Sequence, residues 1–151
     1  MMKTFKLEIT TPEHVVYRDE ATSVTLPTVN GEITVLANHL PVVTVLTAGE
    51  LVIRKDGTES PYAVSGGFAK VDGQKLSILA DTAERFDEID EQRAEEARQR
   101  VEQLRQSVAA DDTQYAQLAG KIERELARLH VVRKHKHRGH VGITQEGVRR
   151  E

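Results

Sequence analysis

Four arginines in the second half of the chain are spaced in a way that suits a bound polyphosphate. In an antiparallel helical hairpin that turns near Ala110, Arg93 lies about level with Arg128. Arg100 lies about level with Arg124 in the same arrangement. At ~1.5 Å of rise per residue, the two arginines of the first helix are roughly 10 Å apart and those of the second roughly 6 Å apart. Guanidinium groups at these separations can hold phosphates through forked, charge-assisted hydrogen bonds.

Side chains near these arginines suit the rest of a nucleotide. The carboxylates of Glu84 and Asp90 can accept hydrogen bonds from an amino group on a base. Ile89 and Ala94 can give the same base apolar contact. Together with the arginines, these residues make a nucleotide site one of two interpretations of the segment.

Ordinary surface ion pairs would explain the same arginines without a ligand. Glu96 stands four residues before Arg100, and Glu125 stands three residues before Arg128. On a helix each such pair contributes only ~0.2–0.5 kcal/mol. Spacing alone favours the surface-pair interpretation over the nucleotide site.

The sequence has no motif of a catalytic centre, and we predict no catalytic residue and no metal site. A phosphate-binding glycine loop, a zinc-protease motif and a nucleophile elbow are all absent. Ser65 precedes the glycines of Val-Ser-Gly-Gly-Phe rather than standing between them, which favours a bend between two strands. The histidines of a late basic tract are a weak metal-binding pattern, because Lys and Arg residues surround them; they are His135, His137 and His140.

Composition and charge exclude several classes of protein. There is no cysteine, and no apolar run approaches the ~20 residues of a membrane span. Residues 81–130 carry 8 basic and 13 acidic side chains, whereas residues 131–151 carry 6 and 2. An acidic middle segment disfavours a nucleic-acid partner, which requires a positive face. We therefore expect no nucleic-acid binding and no direct insertion into a membrane.

The first 84 residues have the pattern of a β-sandwich. Apolar and polar residues alternate from Phe5 to Thr10, as in a strand with one buried face. Turn signals recur every 8 to 12 residues; the clearest are Asn30-Gly31, Asp56-Gly57 and Asp72-Gly73. Val42 to Leu46 is predicted to be a more fully buried strand.

From Glu88 the apolar spacing becomes helical. One stripe comprises Ala94, Ala97, Val101, Leu104 and Val108, and a second comprises Tyr115, Leu118, Ile122, Leu126 and Leu129. Asp87 is the predicted N-cap of the first helix, and Asp111 with Gln114 the capping pair of the second. Both stripes are thin, so we expect the hairpin to be the part that detaches most readily.

These patterns give an α+β protein in three parts. Residues 1–84 form the β-sandwich domain, residues 85–132 form an antiparallel two-helix hairpin, and residues 133–151 form a basic, disordered tail.

Three motifs together resemble one family. They are His39-Leu40-Pro41, Val-Ser-Gly-Gly-Phe at 64–68 and Leu-Ala-Asp-Thr-Ala-Glu at 79–84. With the order of strands and helices, they make residues 5–133 similar to the epsilon subunit of F-type ATP synthase. The resemblance implies a ten-stranded sandwich and a mobile hairpin in a non-catalytic, central-stalk rotor subunit that couples proton-driven rotation to ATP synthesis.

The resemblance also implies partners and a location. The sandwich would bind the gamma subunit and the membrane c-ring, with Glu32 and His39 in the ring-facing segment. The extended hairpin would contact the catalytic alpha/beta head. The protein would be peripheral, at the cytoplasmic face of the bacterial cell membrane, through the ATP synthase complex. Thr34 and the Ala37-Asn38 pair depart from the family pattern in that segment.

Family members that bind ATP share a motif that this chain has as Ile89-Asp90-Glu91-Gln92-Arg93-Ala94. Further ATP-binding positions are occupied compatibly by Glu84, Arg100, Arg124 and Arg128. The resemblance implies ATP as a regulatory ligand, with or without Mg²⁺, and no catalytic cofactor. Bound ATP would stabilise the folded-back hairpin, and the extended hairpin would inhibit ATP hydrolysis. The alternative is a purely structural coupling subunit that binds no nucleotide.

Overall fold

The computed structural model describes residues 3–108 and 113–150. In these residues eight strands precede a 3-10 turn (Phe86–Glu88) and two α-helices. The strands are β1 (Phe5–Thr10), β2 (Val15–Ala21), β3 (Ser23–Thr28), β4 (Gly31–Leu36), β5 (Val42–Lys55), β6 (Thr58–Asp72), β7 (Lys75–Ala80) and β8 (Ala83–Arg85). The helices are α1 (Glu91–Gln106) and α2 (Thr113–Arg150).

Strands β5 and β6 run through both layers of the sandwich. The first half of β5 and the second half of β6 lie in one layer, where β6 pairs with β7, β7 with β1, and β1 with β2. Their other halves lie in the second layer, between β8 on the β6 side and the β3–β4 pair on the β5 side. The β5–β6 ladder changes layer near Leu46 and Gly67.

The described residues form eight strands where the family resemblance implied ten, because β5 and β6 each replace two short strands. Gly49 does not interrupt β5, and Gly66-Gly67 does not interrupt β6, since both strands bend and continue. Strand β8, which follows the predicted last hairpin, had no separate sequence signal. The predicted α+β class and the sandwich-then-hairpin order are confirmed.

Gly67 sits at the point of closest approach between β6 and β7. Its φ is +121°, and a Cβ atom built on it would lie 1.9 Å from the backbone oxygen of Leu79 and 2.8 Å from Ala80 Cα. Only a residue without a side chain fits there. The Val-Ser-Gly-Gly-Phe motif is therefore a bend, but it lies within the single strand β6 and not between two strands as predicted. Ser65 Oγ is hydrogen-bonded to Thr82 Oγ1.

The apolar pattern predicts most of the core but misplaces the most buried strand segment. Alternating residues of β1, including Leu7 and Ile9, are buried in the sandwich core. In the predicted buried strand, however, Val43 is 67% exposed and Val45 is 42% exposed. Residues 51–53 of β5 are buried on both faces instead. Helix α2 covers the outer face of this layer, and that contact could not be read from the local pattern.

Helix α1 begins later than predicted. Asp90, not Asp87, is its N-cap, and the backbone N–H of Arg93 donates to Asp90 Oδ1 at 3.1 Å. Asp87 lies in the 3-10 turn, where two hydrogen bonds from Arg85 lower the pKa of its carboxyl. The predicted capping pair at the start of α2 involves Asp111, which lies outside the described residues.

Helix α2 lies between α1 and the sandwich. It contacts α1 and also packs on β5 and β6. Because two of its faces are covered, its buried set extends beyond the predicted stripe to Val131 and Val132. Leu104 and Leu126, which were assigned to the stripes, are 55% and 48% exposed.

The basic tail is not a separate disordered segment from its start. Helix α2 continues past Val132 to Arg150, and Arg133, Lys134 and His135 all contact acidic side chains. Those carboxylates are remote in sequence, so local composition did not reveal them. Within the two described ranges, no helix has both the length and the apolar character to cross a membrane.

We predict that Gly67→Ala lowers the free energy of unfolding by more than ~2 kcal/mol, because the new Cβ meets the β7 backbone in addition to requiring a strained φ. The control is Gly57→Ala, whose φ is +75° but whose Cβ would meet nothing within 4 Å. Gly57→Ala should lower the free energy of unfolding only by the backbone strain, ~1–2 kcal/mol. Urea unfolding of both variants measures the difference, and equal losses would contradict the steric explanation.

Candidate functional site

The segment between the sandwich and α1 positions the first part of the site. Strand β8 pairs with β6 and places Glu84 opposite Ala63. The 3-10 turn then leads to Ile89 and to the Asp90 cap of α1. This order fixes Glu84 on the sandwich and Arg93 on the hairpin, so a ligand that bound both would join the two domains.

Glu84 forms the centre of a charged cluster that links β8 to α2. Arg128 Nε lies 2.5 Å from Glu84 Oε2, and Arg124 Nη2 lies 3.6 Å from Glu84 Oε1. Arg128 also donates from Nη1 to Glu125 Oε2 at 2.8 Å. The side chains of Arg128 and Glu125 are only 18% and 11% exposed. Two of the four predicted phosphate-binding arginines therefore meet a predicted carboxylate at the domain junction.

The cluster leaves two buried N–H donors without an aligned acceptor. Among the described residues, Arg124 Nε and Arg128 Nε are buried and make no hydrogen bond. Arg128 Nε is close to Glu84 Oε2, but the pair is an ion contact without hydrogen-bond geometry. Buried guanidinium N–H groups favour an anionic acceptor. The donor chemistry of this cluster therefore fits a phosphate group.

An apolar cluster lies beside these charges. Ile89 is packed with Ala63 of β6 and with Val131 and Val132 of α2, and Phe86 covers its edge. Val131 is fully buried. A valine buried in this way contributes ~1.5–3 kcal/mol relative to an exposed one. The contact holds α2 against the sandwich at the same junction as the ion pairs.

The other predicted site residues do not join the cluster. The Arg93 side chain is 85% exposed, and its Nε lies 3.8 Å from Asp90 Oδ2. Arg100 is exposed, and the Glu96 predicted as its partner accepts from Gln92 instead. Ile89 and Ala94 are buried against protein and offer little surface to a ligand. The predicted pair of Glu125 with Arg128 is confirmed.

The residues assigned to partner contact lie at opposite ends of β4, with Glu32 next to the β3–β4 turn and His39 three residues after the last residue of the strand. Glu32 is exposed at the start of β4, and His39 Nδ1 is hydrogen-bonded to the backbone oxygen of Leu40 at 2.7 Å. Leu40 itself is 80% exposed. Asn38 adopts a left-handed φ of 64°, which Asn tolerates better than most residues. The segment presents polar and apolar side chains together.

Sequence reasoning missed the carboxylate that receives the basic residues after Val132. Glu50 of β5 accepts from Lys134 and is hydrogen-bonded to His135. Its only sequence signal is a single acidic residue between Gly49 and the buried segment that follows. Among the side chains described, no three His, Cys, Asp or Glu residues are grouped to hold a metal ion; His137 and His140 lie outside that set.

Comparison with known proteins places this architecture in one family. Residues 4–86 match the family model of the ATP synthase delta/epsilon chain β-sandwich domain. The ATP synthase epsilon chain of Herpetosiphon aurantiacus is 45% identical over 134 residues, which cover 88% of this chain and 97% of the relative. That of Chloroflexus aggregans is 44% identical over 130 residues, covering 86% and 93%.

A solved structure supports the same fold. The match is a chain in the cryo-EM structure of the Euglena gracilis mitochondrial ATP synthase, OSCP/F1/c-ring in rotational state 1. The TM-score is 0.68 at 26% identity, and the alignment covers 82% of this chain and 78% of that chain. The matched sandwich and the two similar full-length relatives lead to one conclusion: the chain belongs to the ATP synthase epsilon-chain family and is a non-catalytic subunit of that complex.

Proposed function

We propose that the chain is a central-stalk rotor subunit of a bacterial F-type ATP synthase whose hairpin responds to ATP. It couples proton-driven rotation to ATP synthesis at the cytoplasmic face of the membrane. The hairpin inhibits ATP hydrolysis when it extends to the catalytic alpha/beta head. ATP stabilises the folded-back state, so a change in ATP concentration shifts the populations of the two states. No hydrolysis of ATP is required.

The Glu84–Arg124–Arg128 cluster is the observation that carries this proposal. It joins sandwich to hairpin, and it holds two buried N–H donors that an anion can satisfy. Phosphate oxygens of ATP would bind Arg124 and Arg128. Because these contacts exist only when α2 lies beside β8, a ligand bound there favours the folded-back hairpin by its difference in affinity for the two states.

A structural coupler without nucleotide binding is the second candidate. The same cluster supports it, because Glu84 and Glu125 already neutralise the two arginines. The exposed positions of Arg93 and Arg100 also support it, since neither contributes to the cluster in this conformation. The two candidates differ in one measurable property, which is affinity for ATP.

The sandwich offers a face for the gamma subunit. Val45, Phe68 and Leu79 are direct cross-strand neighbours on β5, β6 and β7, and they are 42%, 57% and 61% exposed. Val43 extends the row along β5. Contiguous exposed apolar side chains of this kind are typical of protein interfaces. We place gamma on this row and the c-ring at the segment that contains Glu32 and His39.

We predict that Arg124→Ala weakens ATP binding by at least tenfold without unfolding the sandwich, because one charge-assisted contact is worth ~1.5–3 kcal/mol. Calorimetric titration of the isolated protein measures the affinity. Arg18→Ala is the control, since it removes a guanidinium that pairs with Glu8 on β1. Absence of ATP binding to the unmodified protein would favour the structural coupler.

We predict that Phe68→Glu reduces affinity for the cognate gamma subunit by at least about thirtyfold, the effect of losing an apolar anchor worth ~2 kcal/mol. Leu104→Glu makes the same chemical change at a 55% exposed site on α1 and should leave the affinity unchanged. Binding is measured by surface plasmon resonance, and thermal unfolding verifies that both variants fold. Equal affinities for the two variants would place gamma elsewhere.

A further inference from the structure

Three consecutive basic residues near the middle of α2 contact carboxylates from two other elements. Arg133 donates to Glu91 at 3.1 Å and to Glu95 at 3.3 Å, both on α1. Lys134 and His135 contact Glu50, which belongs to β5 of the sandwich. The three residues therefore join α2 to both of its neighbours at one level of the helix.

Both carboxylate oxygens of Glu50 are engaged by α2. Lys134 Nζ lies 3.0 Å from Oε1, and His135 Nε2 lies 3.0 Å from Oε2. The side chains of Glu50 and His135 are only 12% and 10% exposed. The Phe86 ring packs on the His135 imidazole with a centroid distance of 5.6 Å. The pair is thus enclosed by the sandwich, the 3-10 turn and α2.

The chemistry of Glu50 is consistent with a charged, directional contact. Burial by itself raises the pKa of this carboxyl, but the hydrogen bonds from Lys134 and His135 outweigh burial and leave the pKa below its ordinary value. Glu50 is therefore ionised at neutral pH. Its partners are available only while α2 lies on the sandwich, so the hydrogen bonds form and break with docking of the hairpin.

We propose that Glu50, Lys134 and His135 form a latch that holds the hairpin against the sandwich without any ligand. Arg133 extends the latch to α1, so that the two helices dock as one unit. Lys134 is six residues after Arg128, which is roughly 9 Å along the helix. The latch is thus separate from the Glu84 cluster and does not depend on nucleotide binding there.

Native-state hydrogen exchange of the full chain, followed by NMR in the absence of nucleotide, tests the latch. Glu50→Gln keeps the shape of the side chain and removes its charge. We expect amides of α2 from Ile122 to Val132 to exchange about tenfold faster, because charge-assisted hydrogen bonds are replaced by weaker neutral ones. The acceleration should be uniform over this range, since docking is lost as a unit.

The matched control is Glu8→Gln, which removes a partly buried carboxylate that pairs with Arg18 within the sandwich. It should leave exchange in α2 unchanged. Three results would overturn the latch: no acceleration in Glu50→Gln, acceleration only from residue 133 onward, or equal acceleration in the core strands β1 and β7. The second would show fraying of the helix end, and the third a general loss of stability.

Charge reversal gives an independent test. Glu50→Lys should accelerate exchange in α2 more than Glu50→Gln does, because it places like charges together. Adding Lys134→Glu to Glu50→Lys should return the rates to within about threefold of the unmodified protein. A double variant no slower than Glu50→Lys alone would overturn the pairing. ATP affinity is not a readout here, so these results are independent of whether the chain binds nucleotide.

Discussion

The rest of this structure depends on one contact, in which α2 covers the outer face of the second sandwich layer. In that layer the central strand segments are apolar on both faces, and an uncovered outer face would expose Val52 and Ala63 to water. Helix α2 buries this face through Val131 and Val132, together with Ile89 from the junction. Helix α1 contacts α2 and has its main contact there, so its position follows from that of α2.

Charged groups determine where on that face the helix lies. Apolar contact is non-directional and tolerates sliding by a residue or more. The ion pairs of Glu84 and Glu50 are directional, and they are separated along the helix by about one and a half turns. Two such points fix both the rotation and the axial position of α2. The apolar cluster therefore holds α2 on the sandwich, and the ion pairs of the carboxylates set its position there.

Local chemistry made much of this fold predictable from sequence. The Asp56-Gly57 turn was readable because both residues adopt positive φ angles, which favour those residue types; at Asn30-Gly31 only the glycine has a positive φ. Helical spacing and a family motif assigned Glu84, Arg124 and Arg128 to one site, but they did not predict that the carboxylate and the two guanidinium groups pair with each other.

Remote contacts set the limit of prediction. Continuity of β5 through Gly49 depends on its pairing with β6, and no local feature distinguishes a bend from a break there. The partner of His135 stands 85 residues away, beyond the reach of any pattern in a single sequence.

The long β5–β6 hairpin has a mechanical consequence for the sandwich. A sandwich whose layers meet only through side chains can shear between them. Here two covalent strands and their hydrogen-bond ladder cross from one layer to the other. The apolar row of Val45, Phe68 and Leu79 lies on one side of that crossing, and the layer that carries α2 lies on the other. A force applied at the row is therefore transmitted to the layer that carries α2 through the backbone and its hydrogen bonds, and not through side-chain packing alone.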